Sequence, residues 1–409
     1  MANHLIKPVI ISLIVVMSIN HQLVYAQNPN GISITNVANA EARGAVCNDG
    51  SPAAYYYDPG FGDGANSWVV FMKGGGWCGS DSLCRTRLDR FMGSSAHNEK
   101  ITTFGQIHSR NATENPDFYN WNRVMVVYCD SSSFMGTVDH NSSTPGAVDQ
   151  NGKDNRSILG RGALIFDVVM EELLQKGMAN ATNVLFSGGS AGGLAALLHC
   201  DGFRELFPSS TTVKCVVDSG FFIHAPKLRG AEKRANMFAT IAQYHGFTDK
   251  LPPSCTSKRN ASLCVFPEYI VRDVKTPLFL LETKFDTYQI GNLYLSDDKN
   301  TIIKACSENF TLCTPSHFQM MRDYGSAVVE LLQEIRDTSS IGMFVHPCLR
   351  HGHFSSNLRW GASYKLKNKT IAEAVGDWYN DRDCTTFQEI DTEHEFPLNT
   401  DCTKLPNIM

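Results

Sequence analysis

The chain of 409 residues carries no surplus of positive charge: 36 Lys and Arg stand against 41 Asp and Glu, a formal net charge of −5. That balance leaves no basic footprint for nucleic acid. Charge of either sign is modest at 19%, against a hydrophobic fraction of 43%, which excludes disorder as the main state. There is no internal repeat, heptad run or low-complexity tract, so solenoids and coiled coils are set aside. Nor does any apolar stretch reach the ~20 residues that a membrane-spanning helix needs. The longest, Pro8 to Ile19, follows Lys7 and precedes Val24-Tyr25-Ala26, the order of a secretory signal peptide. Residues 1–26 are therefore expected to be cleaved before Gln27, leaving 27–409 as one exported domain with no membrane segment.

Two features agree with export. Acceptor tripeptides for N-glycosylation stand at Asn111, Asn141, Asn155, Asn180, Asn260, Asn309 and Asn368, and glycosylation belongs on the surface of secreted proteins. All 13 cysteines lie beyond the expected cleavage point, where an oxidising compartment lets thiols pair. Cys78 with Cys84, Cys200 with Cys215, Cys255 with Cys264 and Cys306 with Cys313 are close enough in sequence to form short staples. No Cys-x-x-Cys pair is present and the histidines lack ligand spacing, which weighs against a zinc site. An odd cysteine count leaves at least one thiol unpaired within the chain.

Short apolar runs alternate with helical patterns, which implies an α/β fold with a mainly parallel sheet covered by helices. Strands are expected at Trp68 to Met72, Val124 to Cys129, Val184 to Ser187, Val213 to Val217, Leu278 to Leu281 and Met343 to Val345. Residues 163 to 178 set Leu164, Ile165, Val168, Val169 and Leu173 on one helical face, with a stop at Lys176-Gly177. Residues 85 to 120 and 225 to 270 break the alternation and read as insertions.

Gly188-Gly189-Ser190-Ala191-Gly192-Gly193 follows the Val184 strand and precedes the apolar helical run Leu194 to Leu198. This is the G-x-S-x-G elbow in the strand, turn and helix context that it requires. Small neighbours allow strand and helix to approach, and the helix start beneath Ser190 favours developing negative charge. Ser190 is thus the candidate nucleophile, in need of a histidine base and a carboxylate to orient it. Asp286, five residues after the Leu278 to Leu281 run, and Asp218, directly after Val217, both suit the acid, with Asp286 modestly ahead. The base lies among His346, His351 and His353; His346 abuts a strand and a proline, and spacing does not choose between the other two. His199, near the end of the elbow helix, reads as a packed or solvated side chain.

Lys73-Gly74-Gly75-Gly76-Trp77-Cys78 follows the Trp68 strand, and its glycines can turn bare N–H groups toward a bound carbonyl, with the amide of Ala191 as a further donor. A triple glycine also suits a phosphate loop, but the Lys-Ser/Thr ending that grips phosphate is absent.

These residues resemble the pectin acetylesterase family, whose animal members include the Notum deacylases. The matching blocks are Gly74 to Cys78, Asn115 to Arg123, Cys129-Asp130 with Ser133-Phe134, Ser187 to Cys200, Lys214 to Phe221 and Lys275 to Phe279. They run from about residue 40 to 380. The resemblance implies an α/β-hydrolase-like fold and carboxylic ester hydrolysis without metal or organic cofactor. It aligns Ser190 with the nucleophile, Asp286 with the acid, His351 of Cys348-Leu349-Arg350-His351 with the base, and Gly75, Gly76 and Ala191 with the oxyanion positions. It further implies disulfides Cys47 with Cys129, Cys78 with Cys84, and Cys200 with Cys215. Many plant members carry Cys where this chain has Gly189 and Gly352, which leaves the pairing of Cys348, Cys384 and Cys402 open.

The function implied is a secreted or cell-wall serine esterase acting on acetylated galacturonan of pectin. A Notum-like deacylase removing a fatty acyl group from a protein is the first alternative; a secreted carbohydrate-binding protein without turnover is the second. Pectin is acidic and this chain is net negative, so local basic groups are expected to meet the polymer, with Lys73, Arg85, Arg123, Lys284 and Arg350 as candidates.

Overall fold

A computed structural model describes residues 31–141, 154–293, 306, 310–336, 338, 340–354, 360, 364–382 and 387–396. The expected signal peptide, Asn309, Cys384 and Cys402 lie outside these residues. Ten strands form one sheet: β1 (Ile32–Asn36), β2 (Ala54–Asp58), β3 (Ser67–Met72), β4 (Ile101–Thr102), β5 (Asn122–Val126), β6 (Asn183–Gly189), β7 (Thr212–Asp218), β8 (Leu278–Thr283), β9 (Ile341–His346) and β10 (Gln388–Ile390). Their spatial order is β10-β9-β8-β7-β6-β3-β5-β2-β1-β4. Pairing is parallel from β10 through to β5 and antiparallel beyond it. All six strands expected from the apolar runs are present, with ends shifted by at most three residues. The antiparallel edge strands and β10 were not anticipated.

Alternation along each inner strand explains why both faces of the sheet are dry. Val70, Met72, Val184, Phe186, Val217 and Leu280 join one core with helices α1 (Gly162–Gln175), α2 (Ala191–Arg204), α3 (Ala231–Tyr244) and α4 (Pro315–Glu334). Val69, Phe71, Leu185, Val216, Phe279 and Phe344 join a second core with α5 (Ile371–Tyr379). Strands covered on both sides must be apolar throughout, as parallel strands in α/β sheets are. Helix α1 ends as its sequence indicates, with Gly177 at φ 121° just past the Lys176 cap. The second expected insertion holds α3 and several short helical turns, stapled by Cys255–Cys264.

The chain runs from β3 to β5 on one side and then returns to β6 on the other side of β3. A crevice opens beyond the carboxyl ends of strands where the order reverses in this way. The register Met72↔Gly188 makes β3 and β6 end level, so the Gly-rich loop and the serine turn emerge side by side.

Disulfides join Cys47–Cys129, Cys78–Cys84, Cys200–Cys215, Cys255–Cys264 and Cys306–Cys313, as expected; Cys348 is disulfide-bonded as well. Cys200–Cys215 ties α2 to β7. Asn111, Asn141, Asn180, Asn260 and Asn368 are exposed and Asn155 is partly so. No helix among the described residues is long and apolar enough to cross a membrane.

Candidate active site

Ser190 stands between β6 and α2 at φ 58° and ψ −125°, a left-handed backbone that an L-residue adopts only when its surroundings impose it. The surroundings here are two close approaches. A Cβ on Gly192 would lie 2.1 Å from the Met72 carbonyl oxygen, and one on Gly74 would lie 2.8 Å from Cβ of Ser190. Only glycine permits that crossing of turn and loop. The Ser190 amide donates to the carbonyl of Asp218 at 2.8 Å.

Asp286 and His351 meet because their loops go on pairing after the strands end. Thr283↔His346 is the last in-register pair of β8 and β9. Beyond it Lys284 N–H donates to the His346 carbonyl, Thr287 N–H donates to the Arg350 carbonyl, and Asp286 and Arg350 form a parallel bridge. The result places Nδ1 of His351 2.7 Å from Oδ2 of Asp286 and Nε2 of His351 2.7 Å from Oγ of Ser190. Asp286 is buried, and its other oxygen accepts the Gln289 amide at 2.8 Å. Burial pushes the His351 imidazole down, but the charge and hydrogen bond of Asp286 outweigh it and hold its pKa above the ordinary value. Tyr288 stacks on the imidazole, with ring centroids 5.2 Å apart.

Asp218 and His353, the alternatives that sequence position left open, are paired with each other. Asp218 accepts from Nδ1 of His353 and from the amides of His353 and Phe354. His346 in turn lies 2.6 Å from Nε2 of His353. His199 faces the Phe134 carbonyl and stacks on Phe166, the packed one of the two roles, packed or solvated, expected of it.

The Gly-rich loop is held by residues that carry no sequence signature. Arg87 donates to the carbonyls of Gly75 and Trp77 at 3.1 and 2.7 Å, and the Tyr128 hydroxyl donates to the Gly76 carbonyl at 2.6 Å. With those carbonyls engaged, the amides of Gly75, Gly76 and Ala191 have no protein acceptor among the described residues. Ser133 links loop to elbow, accepting from Trp77 Nε1 at 2.8 Å and donating to the Ala191 carbonyl at 2.7 Å. Ser131, Ser133 and Phe134 all have positive φ. Glu282 is a further group that sequence reasoning missed. Burial, reinforced by Asp286, pushes its carboxyl well above the usual range, while one of its oxygens accepts the amides of Gly220 and Phe221.

The basic residues proposed to meet an acidic polymer are occupied within the fold. Arg123 is fully buried on Asp58, and Lys284 donates to the His394 carbonyl beside Asp391. Arg85 is bonded to Asp81 and the Arg156 carbonyl, and Arg350 to the Gly352 carbonyl. Lys73 is turned toward Asn98 and the Tyr56 ring. Strand-adjacent position revealed their neighbourhood but not their direction. Cys78, Cys84 and His245 lie at metal-ligand separations, yet the two sulfurs are joined to each other and offer no thiolate.

The sequence profile described as Pectinacetylesterase matches residues 25–403. The chain belongs to the pectinacetylesterase family. It is 39% identical to Pectin acetylesterase 11 of Arabidopsis thaliana over 364 residues, covering 88% of this chain and 90% of that one. It is 26% identical to palmitoleoyl-protein carboxylesterase notum1a of Danio rerio, covering 83% of this chain and 64% of that one. Among solved structures, the Wnt deacylase Notum of Drosophila superposes with a TM-score of 0.70 at 23% identity, over 89% of this chain and 97% of that one. This chain shares its α/β-hydrolase-like architecture with that structure.

Proposed function

We propose that this protein is a secreted carboxylic ester hydrolase that removes O-acetyl groups from pectic galacturonan through an acyl-serine. The reading is carried by the alignment of Ser190, His351 and Asp286 through two hydrogen bonds of 2.7 Å. Family membership and the Arabidopsis relatives support the substrate class.

In the first step Nε2 of His351 takes the proton of Ser190 as Oγ attacks the ester carbonyl, and Asp286 stabilises the resulting imidazolium. The carbonyl oxygen becomes an alkoxide, received by the amides of Gly75, Gly76 and Ala191. Collapse breaks the bond to the sugar oxygen, which leaves with the proton from His351. Water, deprotonated by His351, then attacks the acetyl-serine and releases acetate. No cofactor or metal is called upon.

Trp77 packs edge to face against Phe222 and Phe238 with centroids 4.8 and 5.1 Å away, and Phe222 also faces Tyr288 at 6.1 Å. Phe222 and Phe238 are buried and the Phe222 ring lies 6.4 Å from that of His351, so aromatic rings wall this side of the base. Acetate release from acetylated pectin, with acetylated xylan as control, tests the proposal: selective release is expected, and equal or greater release from xylan would overturn the pectin assignment. Faster hydrolysis of octanoyl than acetyl esters would instead favour the fatty-acyl reading.

A further inference from the structure

Asp218 makes two sets of contacts that converge on the reacting pair. Its main-chain carbonyl accepts the Ser190 amide at 2.8 Å. Its carboxylate accepts the amides of His353 and Phe354 at 2.8 and 2.9 Å, directly after His351. The neighbouring Ser219, itself at φ 49°, accepts the Gly352 amide at 2.9 Å and donates to Asp218. Three successive amides following His351 are therefore clamped to the end of β7, the same point that holds the backbone of Ser190.

The proton order in this cluster follows from its anchor. Cys348 N–H donates to Nδ1 of His346 at 3.1 Å, so His346 carries its proton on Nε2. That proton is directed at Nε2 of His353, 2.6 Å away, which leaves His353 protonated on Nδ1, facing Asp218. Each link has one donor and one acceptor, with both rings neutral. Burial holds His353 below its ordinary value. Burial also works against the charge on Asp218, but His353 and the two amides outweigh it and keep the carboxyl below the usual range.

We propose that Asp218 is a positioning residue for ester hydrolysis, holding the His351 loop and the Ser190 turn in a fixed relation through a buried Asp218–His353–His346 relay. This rests on the reading that Ser190 and His351 carry out the reaction. Asn at 218 can still accept the two amides through its oxygen, but its NH₂ then faces Nδ1 of His353. The tautomer of His353 must reverse, then that of His346, and a donor finally opposes the Cys348 N–H. The relay cannot re-form with all its bonds made.

The relay also has an electrostatic signature. His351 is faced by Asp286 and Asp218, which raise its pKa, and by Arg350, which lowers it; Tyr288 stacks on it, and Glu282 nearby is pushed well above the usual carboxylate range by burial and by those same two aspartates. Removing the Asp218 charge therefore moves the His351 titration to lower pH. The base works when neutral, so the acid limb of the rate profile shifts to lower pH as well.

The test is steady-state hydrolysis of p-nitrophenyl acetate across pH by wild type, Asp218→Asn, Ser219→Ala, Ser190→Ala and His351→Ala. For Asp218→Asn we expect kcat to fall about ten- to a hundredfold, as for a displacement near 1 Å, with KM little changed and the acid limb at lower pH. An unchanged kcat overturns the proposal. So does a lower kcat with an unmoved limb, which is what general loosening of the fold gives. If Asp218→Asn does not fold, Ser219→Ala decides: a fall in kcat at constant KM supports the clamp, and wild-type kcat overturns it. Ser190→Ala or His351→Ala retaining full turnover would instead remove the hydrolytic reading on which the relay rests.

Discussion

A Cβ added to Gly74 would come within 2.8 Å of Cβ of Ser190 and within 2.3 Å of the Gly189 carbonyl oxygen. The loop after β3 thus rests directly on the backbone of the serine turn. Gly74→Ala is expected to push loop and turn apart, lowering kcat on acetyl esters about a hundredfold or more. Turnover within twofold of wild type, measured on protein with native circular dichroism, would show that the contact is not needed.

The pH dependence follows from the environment of His351. Asp286 holds its pKa above the ordinary value despite burial, and the base is active only when neutral. Turnover should therefore rise with pH through a limb lying above the ordinary histidine value. Asp286→Asn should move that limb to lower pH and cut kcat by about 10³- to 10⁴-fold. A pH–rate profile of kcat/KM for both proteins checks the sign.

The Tyr128 hydroxyl accepts from the Ser133 amide at 3.1 Å and donates to the Gly76 carbonyl at 2.6 Å. Tyr128→Phe removes both bonds without touching a group assigned to the reaction. Loss of one oxyanion donor costs about 10²- to 10³-fold, so misalignment of one is expected to cost about tenfold in kcat with KM nearly constant. A rise in KM at constant kcat would place Tyr128 in substrate binding instead.

Cys200–Cys215 closes a sequence separation of 15 residues between α2 and β7, away from the reacting groups. Replacing both cysteines by Ala should lower stability by about 3 kcal/mol on the loop-entropy account, while turnover on small esters at 25 °C stays near wild type. Chemical denaturation alongside the esterase assay measures both.

How far the sequence could be read depended on the range over which each signal acts. Short apolar runs such as Val69-Val70-Phe71 announce buried parallel strands by themselves, and Gly188 to Gly193 announces the elbow because strand, turn and helix are contiguous. The antiparallel strands β1 and β2 left weaker traces, since Ile32–Asn36 is short and half polar and Tyr55 to Tyr57 carries no aliphatic side chain. Asp218 ends β7 and Asp286 follows the end of the adjacent β8, both at the carboxyl side of the sheet, so position alone did not separate them; what does is the continuation of β8 and β9 pairing into the bridge between Asp286 and Arg350. Arg87, Tyr128 and Glu282 act through hydrogen bonds to distant backbone, which no local pattern encodes; Ser133 stood in a matched block, but its bonds to Trp77 and Ala191 are equally long-range. The same range effect misled the reading of Arg123, whose charge is consumed by Asp58, 65 residues away.

The central claim is that His351 activates Ser190, and covalent labelling by a fluorophosphonate followed by peptide mass spectrometry tests it most directly. A single adduct on Ser190 in the wild type, lost or strongly slowed in His351→Ala, is the result expected. It would also set aside a carbohydrate-binding protein without turnover. No adduct on the wild type, or labelling of Ser190 at the same rate without the imidazole, would contradict the account.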